Sequence, residues 1–322
     1  MPTPGRYNYF ELSFKIIVIL MVLAISITMI VLTVNDARHS HPIVKHTASK
    51  SAFWEKAGFY IWSEDRNNGQ QIVALNNKVI LNNDSRVVAL DGQTGRELWT
   101  YRGGSVGGLA ISSTTVFVGA EYVTALDVEI GDVLWSTRMP HGRGATTLHI
   151  QGDTLYADDG SLLYQLLNTQ TGEALEWGRF RDGKFPPSDI FPARELQAAH
   201  SLFGIDTVIG NIGYWGSIRG VSVANIPNGN ILWRYEIPLI SPIAVSGKSI
   251  YAISENGKLM RFDPATGAAS VMISYTPAPL ARLTEEEADG LYHNFVASDP
   301  TSNMVYVYLG DSETLMAYQL YP

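Results

Sequence analysis

Short apolar runs separated by polar residues and glycine fill the chain from residue 71 onward. The first three runs are QIVAL at Gln71–Leu75, KVIL at Lys78–Leu81 and RVVAL at Arg86–Leu90. Runs of this length, rich in Val, Ile, Leu and Thr and bounded by Asn, Gly and Asp, are typical of antiparallel strands joined by hairpins. The pattern starts again after every fourth run, so it predicts an all-β domain built from four-stranded units.

The fourth run of each unit follows the same polar motif. This motif contains an Asp or Asn, a Gly four residues later and, in most copies, a Trp soon after the Gly. The five copies are ALDGQTGRELW (89–99), ALDVEIGDVLW (125–135), LLNTQTGEALEW (166–177), VANIPNGNILW (223–233) and RFDPATGAASV (261–271). Their glycines are 36, 41, 57 and 38 residues apart, a period that suits one blade of a β-propeller.

Each fixed position of the motif has a mechanical interpretation. The Asp side chain can accept backbone N–H groups two and three residues ahead, which starts a turn. The Gly can adopt the positive φ that closes a hairpin, and the Trp ring in the fourth strand can cover the gap to the neighbouring blade. We assign this structural repeat to Asp91, Gly95, Trp99, Asp127, Gly131, Trp135, Gly172, Trp177, Gly229, Trp233, Asp263 and Gly267. In the fifth copy Val271 replaces the tryptophan.

The pattern A-x-D-x-x-T-G-x-x-x-W resembles the repeat of pyrroloquinoline-quinone (PQQ)-type β-propellers, and the resemblance covers Ser51–Pro322. It implies blades of four antiparallel strands. The family contains quinoprotein dehydrogenases as well as the non-enzymatic propeller of the bacterial outer-membrane assembly machinery, so the resemblance alone does not decide the function. The dehydrogenases hold their quinone between a tryptophan and a vicinal disulfide, beside a calcium ion. This chain has no cysteine, and we therefore predict no enzymatic activity, no cofactor and no metal site.

The number of motifs predicts six blades. Five motifs are complete, and the last run, Thr314–Leu320, resembles a third strand with no fourth strand after it. The segment Ser51–Glu55 precedes the first complete unit and can supply the missing strand, so that both ends of the chain close the ring in one blade. Seven or eight blades result if an irregular repeat is hidden in the sequence.

One uncharged run, Ile16–Val34, is long enough to cross a bilayer. It is longer than the apolar core of a cleaved signal peptide, and no small-residue cleavage site follows it. We predict a signal-anchor with a short cytoplasmic tail at residues 1–15, a transmembrane helix at 16–34, a spacer at 35–50 and the propeller at 51–322. The protein is then a single-pass membrane protein whose propeller is extracytoplasmic, in the periplasm or at the cell exterior.

The net charge excludes one class of partner. The chain carries a formal charge of −8, and the five basic residues of positions 1–50 outnumber the two acidic ones, so the propeller is more acidic than the whole. Nucleic-acid binding requires clustered positive charge. We therefore predict no nucleic-acid partner.

The long interval between the third and fourth motifs contains GRFRDGKFPPSDIFPARELQAAH, at Gly178–His200. Exposed Arg and Phe side chains are common anchors of protein interfaces. The candidate partner-binding residues are Arg179, Phe180, Arg181, Phe185, Phe191 and Arg194. The alternative is a long loop that packs its phenylalanines on its own propeller.

The leading functional hypothesis is a membrane-anchored extracytoplasmic propeller that binds a protein partner as a scaffold or assembly component. The alternatives are a ligand-sensing ectodomain and a divergent quinoprotein-type oxidoreductase.

Overall fold

The computed structural model describes residues 47–59, 61, 71–83, 86–103, 107–140, 144–145, 147–159, 163–179, 207–217, 219–225, 230–246, 248–276 and 294–320. These residues belong to one compact unit, Val44–Pro322, and contain strands and turns but no α-helix. None of their segments forms a helix with the length and hydropathy that a membrane crossing requires. The predicted tail, transmembrane helix and residues 35–46 of the spacer lie outside the described residues.

Strands β1 (Thr47–Ala48) and β2 (Trp54–Ala57) come first in the chain. Blade 1 contains β3 (Ile72–Leu75), β4 (Lys78–Asn83), β5 (Arg86–Asp91) and β6 (Glu97–Arg102). Blade 2 contains β7 (Leu109–Ile111), β8 (Thr115–Val118), β9 (Tyr122–Asp127) and β10 (Val133–Arg138). Blade 3 contains β11 (Thr147–Gln151), β12 (Thr154–Asp158), β13 (Leu163–Asn168) and β14 (Ala174–Arg179).

Blade 4 contains β15 (Thr207–Ile209), β16 (Ile212–Ser217), β17 (Gly220–Asn225) and β18 (Ile231–Tyr235). Blade 5 contains β19 (Ala244–Ser246), β20 (Ser249–Ser254), β21 (Lys258–Phe262) and β22 (Ala269–Thr276). Blade 6 contains β23 (Asn294–Asp299), β24 (Met304–Leu309), β25 (Thr314–Gln319) and the N-terminal strand β2. All pairings are antiparallel, and the prediction of an all-β, six-bladed propeller is confirmed.

The second and third strands of the blades are mostly apolar, because they lie between neighbouring blades. In β4, for example, Val79, Ile80 and Leu81 are all fully buried. Five core clusters each combine two adjacent blades, and they fill the interfaces 1/2, 2/3, 4/5, 5/6 and 6/1. Among the described residues, blades 3 and 4 instead contribute two small separate clusters, Tyr156–Tyr164–Leu166 and Trp215–Ala224. We call each interface between neighbouring blades a seam.

Blade 6 is closed by the two ends of the chain, as the sequence predicts. Strand β2 pairs with β25 in a register that places Trp54 opposite Ala317. The backbone N–H of Phe53 donates to the Ala317 carbonyl at 2.7 Å and extends this pairing by one residue. The fourth strand of the last blade therefore comes from the start of the propeller sequence, which leaves no half-built blade.

Blade 5 carries a fifth strand that the sequence does not predict. Strand β1 pairs antiparallel with β22, with Thr47 opposite Thr276. Ser49 continues the contact: its N–H donates to the Ser274 carbonyl, and its Oγ accepts from the Ser274 N–H, both at 2.8 Å. We call residues 47–57 the N-terminal strap. Four of the residues that the sequence analysis assigns to the spacer, 47–50, thus take part in or flank a β-strand.

Candidate protein-binding surface

The repeated turns have the hydrogen bonds that their sequence predicts. In blade 1 the Asp91 carboxylate accepts the N–H groups of Gln93 and Thr94 at 3.1 and 2.8 Å and the Thr94 hydroxyl at 2.7 Å. Gly95 follows with φ of 68° and donates its N–H to the Asp91 carbonyl. Although burial alone would raise the pKa of Asp91, these hydrogen bonds hold it below its ordinary value. Asp127, Asn168 and Asp263 accept the same backbone donors in their own turns.

A tryptophan of one blade covers the turn of the next blade. The Trp99 ring lies so close to Gly131 that a Cβ there would come within 2.7 Å of it. The Trp99 Nε1–H donates to the Val128 carbonyl at 3.0 Å. The same donation joins Trp54 to Gly92, Trp135 to Thr169 and Trp233 to Pro264, at 2.8, 3.0 and 2.8 Å. We call this arrangement the tryptophan contact, and it occurs at seams 6/1, 1/2, 2/3 and 4/5.

Trp54 belongs to this set although no repeat motif precedes it. Its partner Ala317 occupies in β25 the position that Ala89 occupies in β5, opposite Trp99. The strap therefore supplies a complete tryptophan contact as well as a strand. The sequence signal was the Phe-Trp pair before the first unit, but only the pairing register shows that Trp54 is equivalent to the repeat tryptophans.

Blade 3 departs from the repeat. In blade 2, Leu134 forms a β-bulge and Trp135 then lies opposite Ala125. In blade 3, Leu175 forms the equivalent bulge, but Glu176 takes the next place, opposite Leu166. The residue inserted before the tryptophan is thus accommodated inside the strand rather than in the turn.

The extra residue turns Trp177 to the other face of the strand, because side chains alternate along a strand and a shift of one residue reverses them. Trp177 lies opposite Gln165, and its side chain is 50% exposed. Trp177 therefore does not occupy the position at seam 3/4 that the sequence repeat assigns to it. Glu176 occupies that position and accepts the Tyr164 hydroxyl at 2.9 Å. Burial and this hydrogen bond raise the pKa of Tyr164 to about 12.

Blade 5 departs in a different way. Its bulge is displaced to Met272, so that Ser270 lies opposite Arg261 and Val271 opposite Met260. Val271 is exposed and does not replace the tryptophan in space.

Seam 5/6 differs in a second respect. Blade 6 has no turn between its third and fourth strands, because β25 and β2 come from opposite ends of the chain. At this seam the strap crosses from blade 5 to blade 6, and Lys50 Nζ donates to the Gln319 carbonyl at 2.7 Å.

The outer strands of blades 2 to 4 expose large apolar side chains. The three bulge leucines, Leu134, Leu175 and Leu232, are 52%, 52% and 53% exposed. Trp177 adds the largest aromatic side chain to them. The residues at its ladder position in blades 2 and 4 are polar, Ser136 and Arg234. We call Leu134, Leu175, Trp177 and Leu232 the blade 2–4 rim, and it is the candidate protein-binding surface.

The ring axis holds a second candidate site, a cavity of about 250 Å³ lined by the first strand of every blade. Its lining is mostly aliphatic, and His149 is its one titratable side chain among the described residues. Burial lowers the pKa of His149 to about 4, so the imidazole is neutral at neutral pH. No group of three metal-ligating side chains occurs in the described part of the chain.

Several predicted residues cannot be placed. Gly229 and five members of the candidate loop, namely Phe180, Arg181, Phe185, Phe191 and Arg194, lie outside the described residues. Arg179 is the last residue of β14, so the candidate loop continues directly from the strand that carries Trp177. The functional importance of these residues remains a prediction.

Comparison with known proteins gives a family and a fold. The family model described as "Outer membrane protein assembly factor BamB" matches residues 51–270. The outer membrane protein assembly factor BamB of Xanthomonas campestris pv. campestris is 38% identical over 77 residues, which are 23% of this chain and 19% of that protein. The match therefore spans about a fifth of this relative's length.

Among solved structures, a chain of the mitotic checkpoint complex has a TM-score of 0.59 and 14% identity, covering 84% of this chain and 96% of that chain. This likeness shows the fold alone. BamB from Moraxella catarrhalis has a TM-score of 0.38 and 16% identity, covering 79% and 85%.

Proposed function

The chain belongs to the BamB family of PQQ-like repeat β-propellers, and we propose that it is a membrane-anchored, extracytoplasmic scaffold that binds a protein partner. The family description names an assembly factor rather than a catalyst, and assembly through protein contacts is the role that we propose for this chain. The anchor at residues 16–34 and the short tail at 1–15 belong to the same proposal. An extracytoplasmic position rests on that anchor, because a long domain after it is translocated largely regardless of nearby charge.

The observation that carries the proposal is the exposed Trp177 on the outer strand of blade 3. A half-exposed tryptophan costs solubility, and tryptophans are enriched among the residues that dominate binding at protein interfaces. Here the ring is exposed by a single inserted residue, while the other repeat tryptophans cover turns. Leu175, two residues away in the same strand, is equally exposed. The blade 2–4 rim therefore has the composition of an interface centre.

The candidate partner-binding residues follow this surface directly in the sequence. Arg179 follows Trp177 by two residues, and Phe180, Arg181, Phe185, Phe191 and Arg194 come next in the sequence. Basic side chains beside an apolar centre supply the polar rim that a protein interface requires. We propose that the loop and the blade 2–4 rim bind the same partner.

Copurification of the full-length chain from native membranes tests this function. We expect the wild-type protein to retain a partner in stoichiometric amount, and we expect Trp177→Ser to lose it while the thermal unfolding midpoint stays within a few degrees. Phe53→Ser is the matched control, because Phe53 is also an exposed aromatic residue, at 56%, but lies in the strap of blade 6. It should retain the partner.

Two outcomes contradict the proposal. Failure of the wild-type chain to retain any protein in stoichiometric amount argues against the scaffold function itself. Equal retention by the wild type and Trp177→Ser leaves the scaffold function intact and shows that the partner binds elsewhere.

A further inference from the structure

One blade of this propeller already carries an added strand. In blade 5 the outer edge of β22 pairs with β1, a segment more than 200 residues away in the sequence. The contact is made mainly by backbone groups and is continued by Ser49. The outer edge of a blade in this protein can thus bind an extended segment as a fifth antiparallel strand.

Strand β14 offers the equivalent edge in blade 3. It is the last strand of its sheet, and no described strand pairs with its outer edge. The side chains from Glu173 to Trp177 are all exposed. An uncovered edge strand with large apolar side chains is prone to aggregation unless something covers it. An edge that the described residues leave open in this way can accept an added strand.

Resting on the scaffold function proposed above, we propose that the outer edge of β14 binds an extended, basic segment of the partner protein as a fifth antiparallel strand. In such complexes backbone hydrogen bonds supply affinity, and the flanking side chains supply specificity. Leu175 and Trp177 provide the apolar contacts, and the exposed Glu173 and Glu176 provide negative charge on the same strand.

The strap indicates the chemistry of the added segment. Two residues after β1 it carries Lys50, whose Nζ donates to the Gln319 carbonyl of the neighbouring blade at 2.7 Å. The strand added in blade 5 thus has a basic residue beside it, and in blade 3 a basic segment would also have the exposed Glu173 and Glu176 as oppositely charged neighbours. Two copies of β14 paired with each other would bring their glutamates together, and like charges across a strand pair are destabilising.

The edges of blades 2 and 4 are poorer sites for the same segment. At the ladder position of Trp177 they carry Ser136 and Arg234, which offer less apolar surface, and Arg234 repels a basic strand. Binding is therefore expected to favour blade 3 over blades 2 and 4.

The test uses the full-length chain and a synthetic strand peptide, Lys-Val-Thr-Val-Thr-Val-Lys. We expect saturable binding that changes tryptophan fluorescence and slows hydrogen exchange of the β14 amides, with little change in β10 and β18. Replacing both lysines of the peptide by glutamate should weaken binding about fivefold, as expected for the loss of two exposed ion pairs. A peptide with proline at both threonine positions lacks the N–H groups and should give no protection.

Trp177→Ser should lose the fluorescence change and weaken peptide binding, while Phe53→Ser should behave as the wild type. Absence of protection in β14 at millimolar peptide overturns the proposal, and so does equal protection of β10, β14 and β18. Concentration-dependent dimers held by β14 in the absence of peptide would show that a second copy is the occupant and would also overturn it. If the native partner still copurifies with the wild-type chain while the peptide fails, the scaffold function stands and only strand addition is refuted.

Discussion

At the residue scale, the tryptophan contact explains why the glycine and the tryptophan recur together in the repeat motif. The turn glycine leaves room for the ring of the preceding blade, since a Cβ at Gly172 would come within 2.5 Å of the Trp135 ring. Its positive φ of 70° also suits glycine rather than a larger residue. The glycine thus satisfies two requirements, one in its own turn and one at the seam.

Two tryptophan substitutions separate a seam residue from a surface residue. Trp135→Ala should lower the free energy of unfolding by about 3–5 kcal/mol, because a well-packed aromatic side chain and its hydrogen bond to Thr169 are lost. Trp177→Ala should lower it by less than about 1 kcal/mol, because the side chain is half exposed. Denaturant unfolding of both variants measures the difference, and equal losses would contradict the register assigned to β14.

Asp299 makes the stability of the ring depend on pH. Burial alone would raise its pKa, but hydrogen bonds from Thr301, Ser302 and the Asn77 N–H of blade 1 hold the pKa below the ordinary value of 3.8. A carboxyl group with a lowered pKa stabilises the fold above its unfolded pKa, and this contribution disappears as the pH falls through the folded pKa.

We therefore expect the stability of the wild-type protein to fall as the pH is lowered below about 4, the unfolded pKa of an aspartate. Asp299→Asn should be less stable than the wild type at pH 7 and should lose less stability on acidification. Thermal unfolding between pH 7 and pH 3 tests this. Parallel pH profiles for the two proteins would show that Asp299 is not the titrating group.

At the element scale, the sequence predicted strands, turns and ring closure but not strand register. The motif spacing and the unpaired last strand were sufficient for six blades, because hairpin turns depend on local residue types. The extra residue before Trp177 is visible in the sequence, but the sequence does not show whether the turn or the strand accommodates it. The displaced bulge beside Val271 has no sequence signal. Strand β1 was missed because Thr47–Ala48 pairs with an edge that is remote in the sequence.

Deleting Glu176 should restore the blade 2 spacing and turn Trp177 toward seam 3/4. The expected result is a blue shift of tryptophan fluorescence, because the ring leaves water, together with loss of partner binding. Glu176→Ala keeps the strand length and is the control, with Trp177 still exposed. An unshifted spectrum in the deletion variant would show that the insertion does not determine the orientation of the ring.

Truncations of the strap distinguish its two strands. Removing residues 1–46 should leave the propeller as stable as the full chain. Removing 1–50 takes away β1 and the contacts of Ser49 and Lys50, so the unfolding midpoint should fall by several degrees. Removing 1–57 also takes away β2 and the Trp54 contact, so the protein should become poorly soluble.

Thermal unfolding and solubility of the three truncated proteins provide the measurement. Equal unfolding midpoints for the proteins lacking 1–46 and 1–50 would show that β1 does not stabilise blade 5. An unchanged midpoint for the protein lacking 1–57 would contradict closure of the ring by β2.

At the scale of the whole molecule, the six seams are not equivalent. Four of them have the tryptophan contact, and seam 5/6 has the strap. At seam 3/4 the corresponding position holds Glu176, and the described residues of blades 3 and 4 share no core cluster. We therefore expect the stability of the ring to be distributed unevenly.

Hydrogen exchange measures this difference. Amides of β12 and β13, next to seam 3/4, should exchange about tenfold faster than those of β8 and β9, next to seam 2/3, which corresponds to about 1.4 kcal/mol less free energy of local opening. The two strand pairs occupy equivalent places in adjacent blades, so each serves as the control for the other. Equal exchange rates would show that seam 3/4 is as stable as the rest.

If seam 3/4 opens more easily than the other seams, as we expect, the motions of the ring will be concentrated there. Small rotations at seam 3/4 would then change the width of the axial cavity, because the first strands of all blades line it. They also change the distance between Trp177 and Leu232, which lie on different sides of the joint. A partner that spans both residues would stiffen the whole ring, and its affinity would include the conformational entropy lost at this joint.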